Sequence, residues 1–291
     1  MNFSFLLDIV RGTLVASVGS FFPLIFIFYP HIFLTRSMTD GVVKGFSLFT
    51  ISCALLMAMY SFSYGLFVFA AFGSMILVMH MMLANRFDQN STVFVGAAML
   101  LVGGVVALYA MGVNFSSLRS QEILDAIVAA QKSMNVELGR TEVMMVYNRM
   151  LQLMPAMIII LSLMISYGAY FLTVKGLLST QAVAVSYQPF IYLTIPRGIV
   201  AAGIGSVAGL YIFSGETGIS GLVMENVAVI FGALLFFLGL SVIMFILHKR
   251  RVHGFLRVMV PVLGILVPFA QLMIIFLGLL ESLFNFRRLT R

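Results

Sequence analysis

Ten carboxylates, four histidines and a single cysteine are all that this 291-residue sequence offers to acid–base, nucleophilic or metal chemistry. The spacings that such chemistry needs do not occur among them. A zinc protease places two histidines one helical turn apart around a glutamate, a nucleophile elbow holds its serine between two glycines, a redox pair spaces two cysteines by two residues, and a phosphate cradle ends a glycine loop in lysine. HExxH, GxSxG, CxxC and the glycine loop are all missing. His31 stands between Pro30 and Ile32, His80 stands near the end of an apolar run, and Glu225, Asn226 and Glu281 sit at the ends of others. Near a span end a polar tip reaches water cheaply, whereas a proton relay needs several acids at mid-membrane depth. An isolated histidine such as His31 is read as a hydrogen-bonded structural residue in preference to a ligand. Cys53 lies in an apolar run and has no partner for a disulfide. The reading is of no catalytic residue, no metal ligand and no cofactor, hence not an enzyme.

Two other kinds of residue pattern carry more. Gly12, Ala16 and Ser20 recur every four residues, and so do Ala201, Gly205 and Gly209. Small residues at that spacing let two helix backbones approach closely. Packing within the chain and a docking face for another membrane subunit are both open readings of these faces. The segment YQPFIYLTIPRG, residues 187–198, sets Gln188, Tyr192 and Arg197 on backbone that Pro189 and Pro196 keep from being helical. Non-helical backbone at membrane depth is buried by protein or lines a cavity. The segment is thus a candidate cavity wall, with an interfacial loop as the alternative.

The elements that must position these residues follow from composition. The chain is 62% hydrophobic and 9% charged, against about 25% charged in soluble domains. Such a surface needs hydrocarbon around it. Every peptide group in hydrocarbon needs an internal partner, which leaves helices or a closed barrel. The apolar runs are continuous and do not alternate, so the expected fold is an all-α polytopic transmembrane bundle of about eight or nine spans. The net charge of +7 sits mainly in turns, where it sets membrane orientation, and no basic groove interleaved with exposed aromatics points to nucleic acid.

Three regions are expected: a transmembrane bundle at 1–114, an amphipathic helical hairpin outside the membrane at 115–154, and a second bundle at 155–291. The first apolar block, about 12–34, carries Pro23 and Pro30 and reads as a broken or re-entrant hairpin that is retained as a first span. Spans are expected at about 42–60, 65–84, 92–113, 155–174, 198–213, 223–247 and 255–282. In the hairpin, Ile123, Leu124, Ile127 and Val128 mark one stripe, Val143, Tyr147, Met150, Leu151 and Met154 mark another, and Asn135–Gly139 separates them. Placing the turns that hold Arg36, Lys44, Arg86, Lys175, Arg197, Lys249, Arg250, Arg251 and Arg257 in the cytoplasm obeys the positive-inside rule. One conflict is left. A single last span would put the basic tail FNFRRLTR outside, unless Pro261 and Pro268 break that span into something that returns.

The segments at 154–179, 187–198 and 224–251, and above all FLGLLESLFNFRRL at 276–289, resemble the YybS-type family of bacterial membrane proteins. Gly278, Glu281, Phe286 and Arg287 occupy the positions of that family's terminal glycine, acidic turn and aromatic–arginine pair, with Glu281 and Asn285 where aspartates are usual. The resemblance implies similarity in fold to the substrate-binding membrane components of energy-coupling-factor importers, which contact a coupling subunit through small residues of their first spans. Gly12, Ala16 and Ser20 would be the counterpart. The implied role is to bind a small apolar or vitamin-like molecule, in the bilayer of a bacterial cytoplasmic membrane and with another membrane subunit as partner. The rivals are a scaffold that docks envelope-assembly partners and, last, an enzyme acting on a lipid-linked substrate.

Overall fold

The computed structural model describes residues 3–113, 120–133, 139–179, 188–213 and 218–289, and among them all regular structure is helical. The helices are α1 (Phe3–Gly19), α2 (Phe28–Asp40), α3 (Val42–Met59), α4 (Phe62–Ala84), α5 (Gln89–Ala110), α6 (Gln121–Ser133), α7 (Arg140–Ser179), α8 (Arg197–Phe213), α9 (Gly218–Lys249), α10 (Gly254–Leu266) and α11 (Pro268–Phe284). Five are long and apolar enough to cross a membrane, namely α3, α4, α5, α7 and α9, or six if the bent pair α10–α11 is one span. The expected eight or nine included α1 and α8, which at 17 residues each are shorter than these.

The chain divides into two compact units, Met1–Met150 with Ile158–Tyr187, and Leu151–Met157 with Gln188–Arg291. This division does not follow the three expected regions. The stretch from Ile158 onwards belongs with the N-terminal helices because Ser166 donates to the Val93 carbonyl (2.7 Å) and Gly168 lies against Ile27. The expected separate amphipathic arm at 140–154 is instead the first part of α7, a 40-residue helix that continues through Pro155. The other arm, α6, buries Leu124 and half-buries Ile123, Ile127 and Val128 as its stripe requires. Asp125 accepts a hydrogen bond from Arg140 at 2.7 Å, an exposed pair of small energetic value. Residues 114–119 and most of the 135–139 break lie outside the described residues.

In the first unit α1 to α5 pack as successive antiparallel neighbours. The first apolar block is broken, as its prolines require: α1 stops at Gly19, Pro23 opens a 3-10 turn to Ile27, and α2 follows with Pro30 in its first turn. Packing, not escape from water, holds such helices together in lipid. Phe26 stacks on Phe72 with ring centroids 5.0 Å apart, and Tyr29 meets Phe72 edge-on at 5.4 Å. Each such pair adds about 1 kcal/mol. At the turn before α5, Asp88 caps the helix, and the Ser91 backbone N–H holds its carboxyl below the ordinary aspartate range.

In the second unit α9 and α11 touch through Gly239 and Gly278, where a Cβ on either would run into the carbonyl oxygen of Ile274 or Leu235. Ile275 shares a cleft with Phe231 and Leu235, Gly278 lies on Leu235 and Gly239, and Arg287 reaches Ser241 and Phe245. The two helices therefore run in the same direction. The chain breaks at Val267, with α10 and α11 bent by 105°, and α10 makes the return. Arg287 thus lies beside Ser241 and Phe245 in the C-terminal third of α9, so a last span that returns accounts for the basic tail.

Pro155 deprives α7 of one N–H, and a side chain repairs the neighbouring bond. Asn226 Oδ1 accepts from the Ala156 N–H at 2.9 Å, while its Nδ2 donates to the Gln152 carbonyl at 2.8 Å. The amide stands where the helical bond from Ala156 to Gln152 would be. Asn226→Leu strands both groups in an apolar surrounding and is expected to cost about 2 kcal/mol or more. Gly278→Ala is expected to cost about 2 kcal/mol by overpacking. Gly205→Ala, which meets no atom within 4 Å, should be neutral or slightly stabilising. Thermal unfolding of the three variants in detergent micelles measures the contrast.

Candidate functional site

The break in the first apolar block opens a cavity of about 430 Å³ in the first unit. Gly19, Ser20, Pro23 and Phe26 form one wall, Tyr64, Phe67 and Phe72 of α4 another, and Leu100–Leu108 of α5 with Ile158–Ile165 of α7 the rest. Because Pro23 stops the helix, no turn of α1 fills this space. The volume lies within the range of small-molecule sites, about 300–1,000 Å³, and the lining is apolar with a few polar groups, as such sites are.

Three hydroxyls mark the polar side. Ser20 donates to the Ser17 carbonyl at 2.7 Å and Tyr64 donates to the Ala16 carbonyl at 2.7 Å. Ser162 is 5% exposed and lines the cavity. A hydroxyl in such a wall offers one donor and an acceptor to a ligand with a matching group. Gly104 faces the same space, and a Cβ there would stand 3.8–4.0 Å from Phe67 and Ala71. Acid–base chemistry has little to work with at this site. His31 Nδ1 is within 3.1 Å of the Thr173 hydroxyl and 3.2 Å of that of Thr35, His80 Nδ1 is 3.0 Å from the Ser37 hydroxyl, and neither lines the cavity. Among the described residues no group of three His, Cys, Asp or Glu is placed to hold a metal.

The first small-residue face is covered by its own chain. Gly12 lies under the Phe33 ring and beside Ser52, and Ala16 is fully buried. Only Ser20 of that trio is exposed, and it lines the cavity. The second face points the other way. Gly203 is the residue that packs on Phe231 of α9, while Ala201 and Gly205 are exposed and neither Gly205 nor Gly209 meets a neighbour.

Gln188, Tyr192 and Arg197 are not brought together around a cavity. Gln188 donates to the Tyr192 carbonyl at 2.8 Å, the Tyr192 ring meets Phe245 edge-on, and Arg197 donates to the Leu283 carbonyl at 3.1 Å. The segment is held by residues that spacing alone does not connect to it. Arg287 donates to the Ile191 and Leu193 carbonyls at 2.6 and 2.7 Å and to the Ser241 hydroxyl at 2.8 Å, and pairs with Glu281 at 2.9 Å. Ser241 in turn donates to the Phe190 carbonyl at 2.7 Å. Both charged side chains are only 2% exposed, and the guanidinium also lies over the Phe245 ring at 5.8 Å. The glutamate neutralises the arginine, and the arginine satisfies carbonyls that no helix serves. Only the terminal pattern around Gly278, Glu281, Phe286 and Arg287 signalled in sequence that these residues act together.

Long apolar helices, buried polar bridges at Pro155 and at the 190–193 segment, and an apolar cavity define a polytopic helical membrane protein. Residues 12–282 match the family of predicted membrane proteins known as DUF2232, and the chain belongs to that family. No curated protein and no solved structure matches it.

Removing the arginine leaves a buried carboxylate and free carbonyls. Arg287→Ala is expected to lower stability by about 3 kcal/mol or more. Arg287→Lys should recover little, since one ammonium cannot reach both carbonyls, the serine and the glutamate. In a Thr194→Cys background, both changes should raise thiol labelling of residue 194 at least about tenfold, following the opening free energy. An unchanged labelling rate would refute the clamp.

Proposed function

We propose that this protein binds a small apolar molecule carrying one hydrogen-bonding group, within the bacterial cytoplasmic membrane. The observation that carries the reading is an apolar cavity of about 430 Å³ with the Ser162 hydroxyl in its wall. A cavity without polar chemistry would suit lipid filling alone; one buried hydroxyl selects a ligand with a matching group. Binding, and not catalysis, is the proposed role, because the side chains around the cavity are hydrocarbon and hydroxyl.

The resemblance to YybS-type proteins and to importer substrate-binding components agrees with such a role. If α3 to α5 span, the antiparallel packing of α1 and α2 on them adds two shorter crossings, and α8 beside α9 adds another, which restores the count of eight or nine. The exposed Ala201 and Gly205 support a second reading, a scaffold whose α8 receives another membrane subunit, since no described residue of their unit packs on Gly205.

Gentle detergent purification followed by mass spectrometry of the extract tests the first reading. The wild type should retain a near-stoichiometric apolar compound. Gly104→Leu, which fills the cavity, should reduce retention by at least about tenfold, and Ser162→Ala by about fivefold, the worth of one hydrogen bond. An empty wild type, or equal retention in Gly104→Leu, would remove the cavity as a ligand site. Recovery of a membrane subunit that Gly205→Leu abolishes would favour the scaffold.

A further inference from the structure

The end of α9 and the start of α10 place four permanent cations, Lys249, Arg250, Arg251 and Arg257, within nine residues, beside His248 and His253. The turn between the helices brings them to one end of the second unit. Arg251 takes a left-handed conformation (φ 51°), its N–H donates to the His248 carbonyl, and the His253 side chain accepts from the Phe255 N–H to start α10. None of the four cations forms an ion pair among the described residues. The described acids of this unit do not answer them: Glu281 is committed to Arg287, and Glu225 lies in the opposite half of α9. Arg257 adds a sharper sign. Its Nε is buried and has no hydrogen-bond partner. A buried guanidinium nitrogen without an acceptor is costly, and its planar fork is matched by phosphate or carboxylate oxygens.

Immediately beside these cations the same helix exposes Phe255, Leu256, Val262, Leu263, Ile265 and Leu266. An anion-binding cluster that continues into an exposed apolar face has the two halves of an amphiphile's chemistry. A free phosphate would use the first half and leave the second empty. We infer that the α9–α10 turn is a binding site for an anionic phospholipid, with Arg250, Arg251 and Arg257 on its phosphodiester and the exposed face of α10 along its acyl chains. Basic residues at the membrane surface gain about fivefold in affinity each from anionic lipid. The site is separate from the cavity of the first unit and does not depend on what that cavity binds.

The test uses the full-length protein, delipidated in detergent and given equimolar phosphatidylglycerol and phosphatidylcholine of identical acyl chains, with bound lipid counted by native mass spectrometry. The wild type should prefer phosphatidylglycerol by at least about tenfold. The combined variant Arg250→Gln, Arg251→Gln, Arg257→Gln should lose that preference by about tenfold or more. Lys44→Gln with Arg86→Gln, in the first unit, should keep it. If the triple variant does not fold, Arg257→Gln alone should lower the preference by about fivefold. Equal binding of the two lipids by the wild type, or an undiminished preference in the variants, overturns the proposal. So does displacement of phosphatidylglycerol by millimolar inorganic phosphate without loss of preference for the head group, which would make the site one for free anion.

Discussion

An unserved peptide group in hydrocarbon costs several kcal/mol, and the architecture of this protein turns on that constraint. At several of the described helix breaks, a polar side chain meets the carbonyl or N–H that is released. The Asn226 amide takes the place of the helical bond at Pro155. Arg287 and Ser241 serve the carbonyls of Phe190, Ile191 and Leu193. Tyr64 reaches Ala16 near the end of α1, and Gln271 reaches Ile265 across the break at Val267. Polar residues are scarce in this chain, and these are among the uses it makes of them.

The same breaks create what is functional in the fold. Pro23 ends a helix early, and the space that the missing turn would fill is the apolar cavity with Ser162 in its wall. Pro268 opens α11 after the bend, so that α10 carries the return and α9 and α11 lie in parallel on Gly239 and Gly278. That parallel contact brings Arg287 to Ser241 and Phe245. Charge follows geometry here: arginine is buried where a glutamate accompanies it, and is left exposed in a row at the end of α9.

Much of the scaffold was legible from local pattern. Continuous apolar runs predict helices, prolines predict the breaks at 20–27 and 188–196, and the stripe of α6 predicts which of its residues are covered. The boundary between expected regions at 154 and 155 was not legible as it stands. A proline after an amphipathic stretch looks like a helix end, and only the amide of Asn226, 70 residues away in the chain, lets α7 continue. Small-residue faces were visible as faces, yet not what covers them. Gly12 and Ala16 lie against Phe33 and the Ala16 carbonyl meets Tyr64, whereas Ala201 and Gly205 point outward on a helix whose contact is made by Gly203.

The sequence by itself determined the solvent and the class of structure, because hydropathy and the need to pair backbone groups are properties of short segments that no partner can change. It determined also the poverty of catalytic groups and the clustering of cations in turns. Tertiary structure alone decided which polar residue completes which helix break, that Arg287 holds the carbonyls of Ile191 and Leu193, and that a cavity forms beside Ser162. Those outcomes depend on contacts across 50 to 100 positions, such as the 96 between Arg287 and Ile191, where the identity of a residue says what it can bond to and only the packing of helices says what lies within reach.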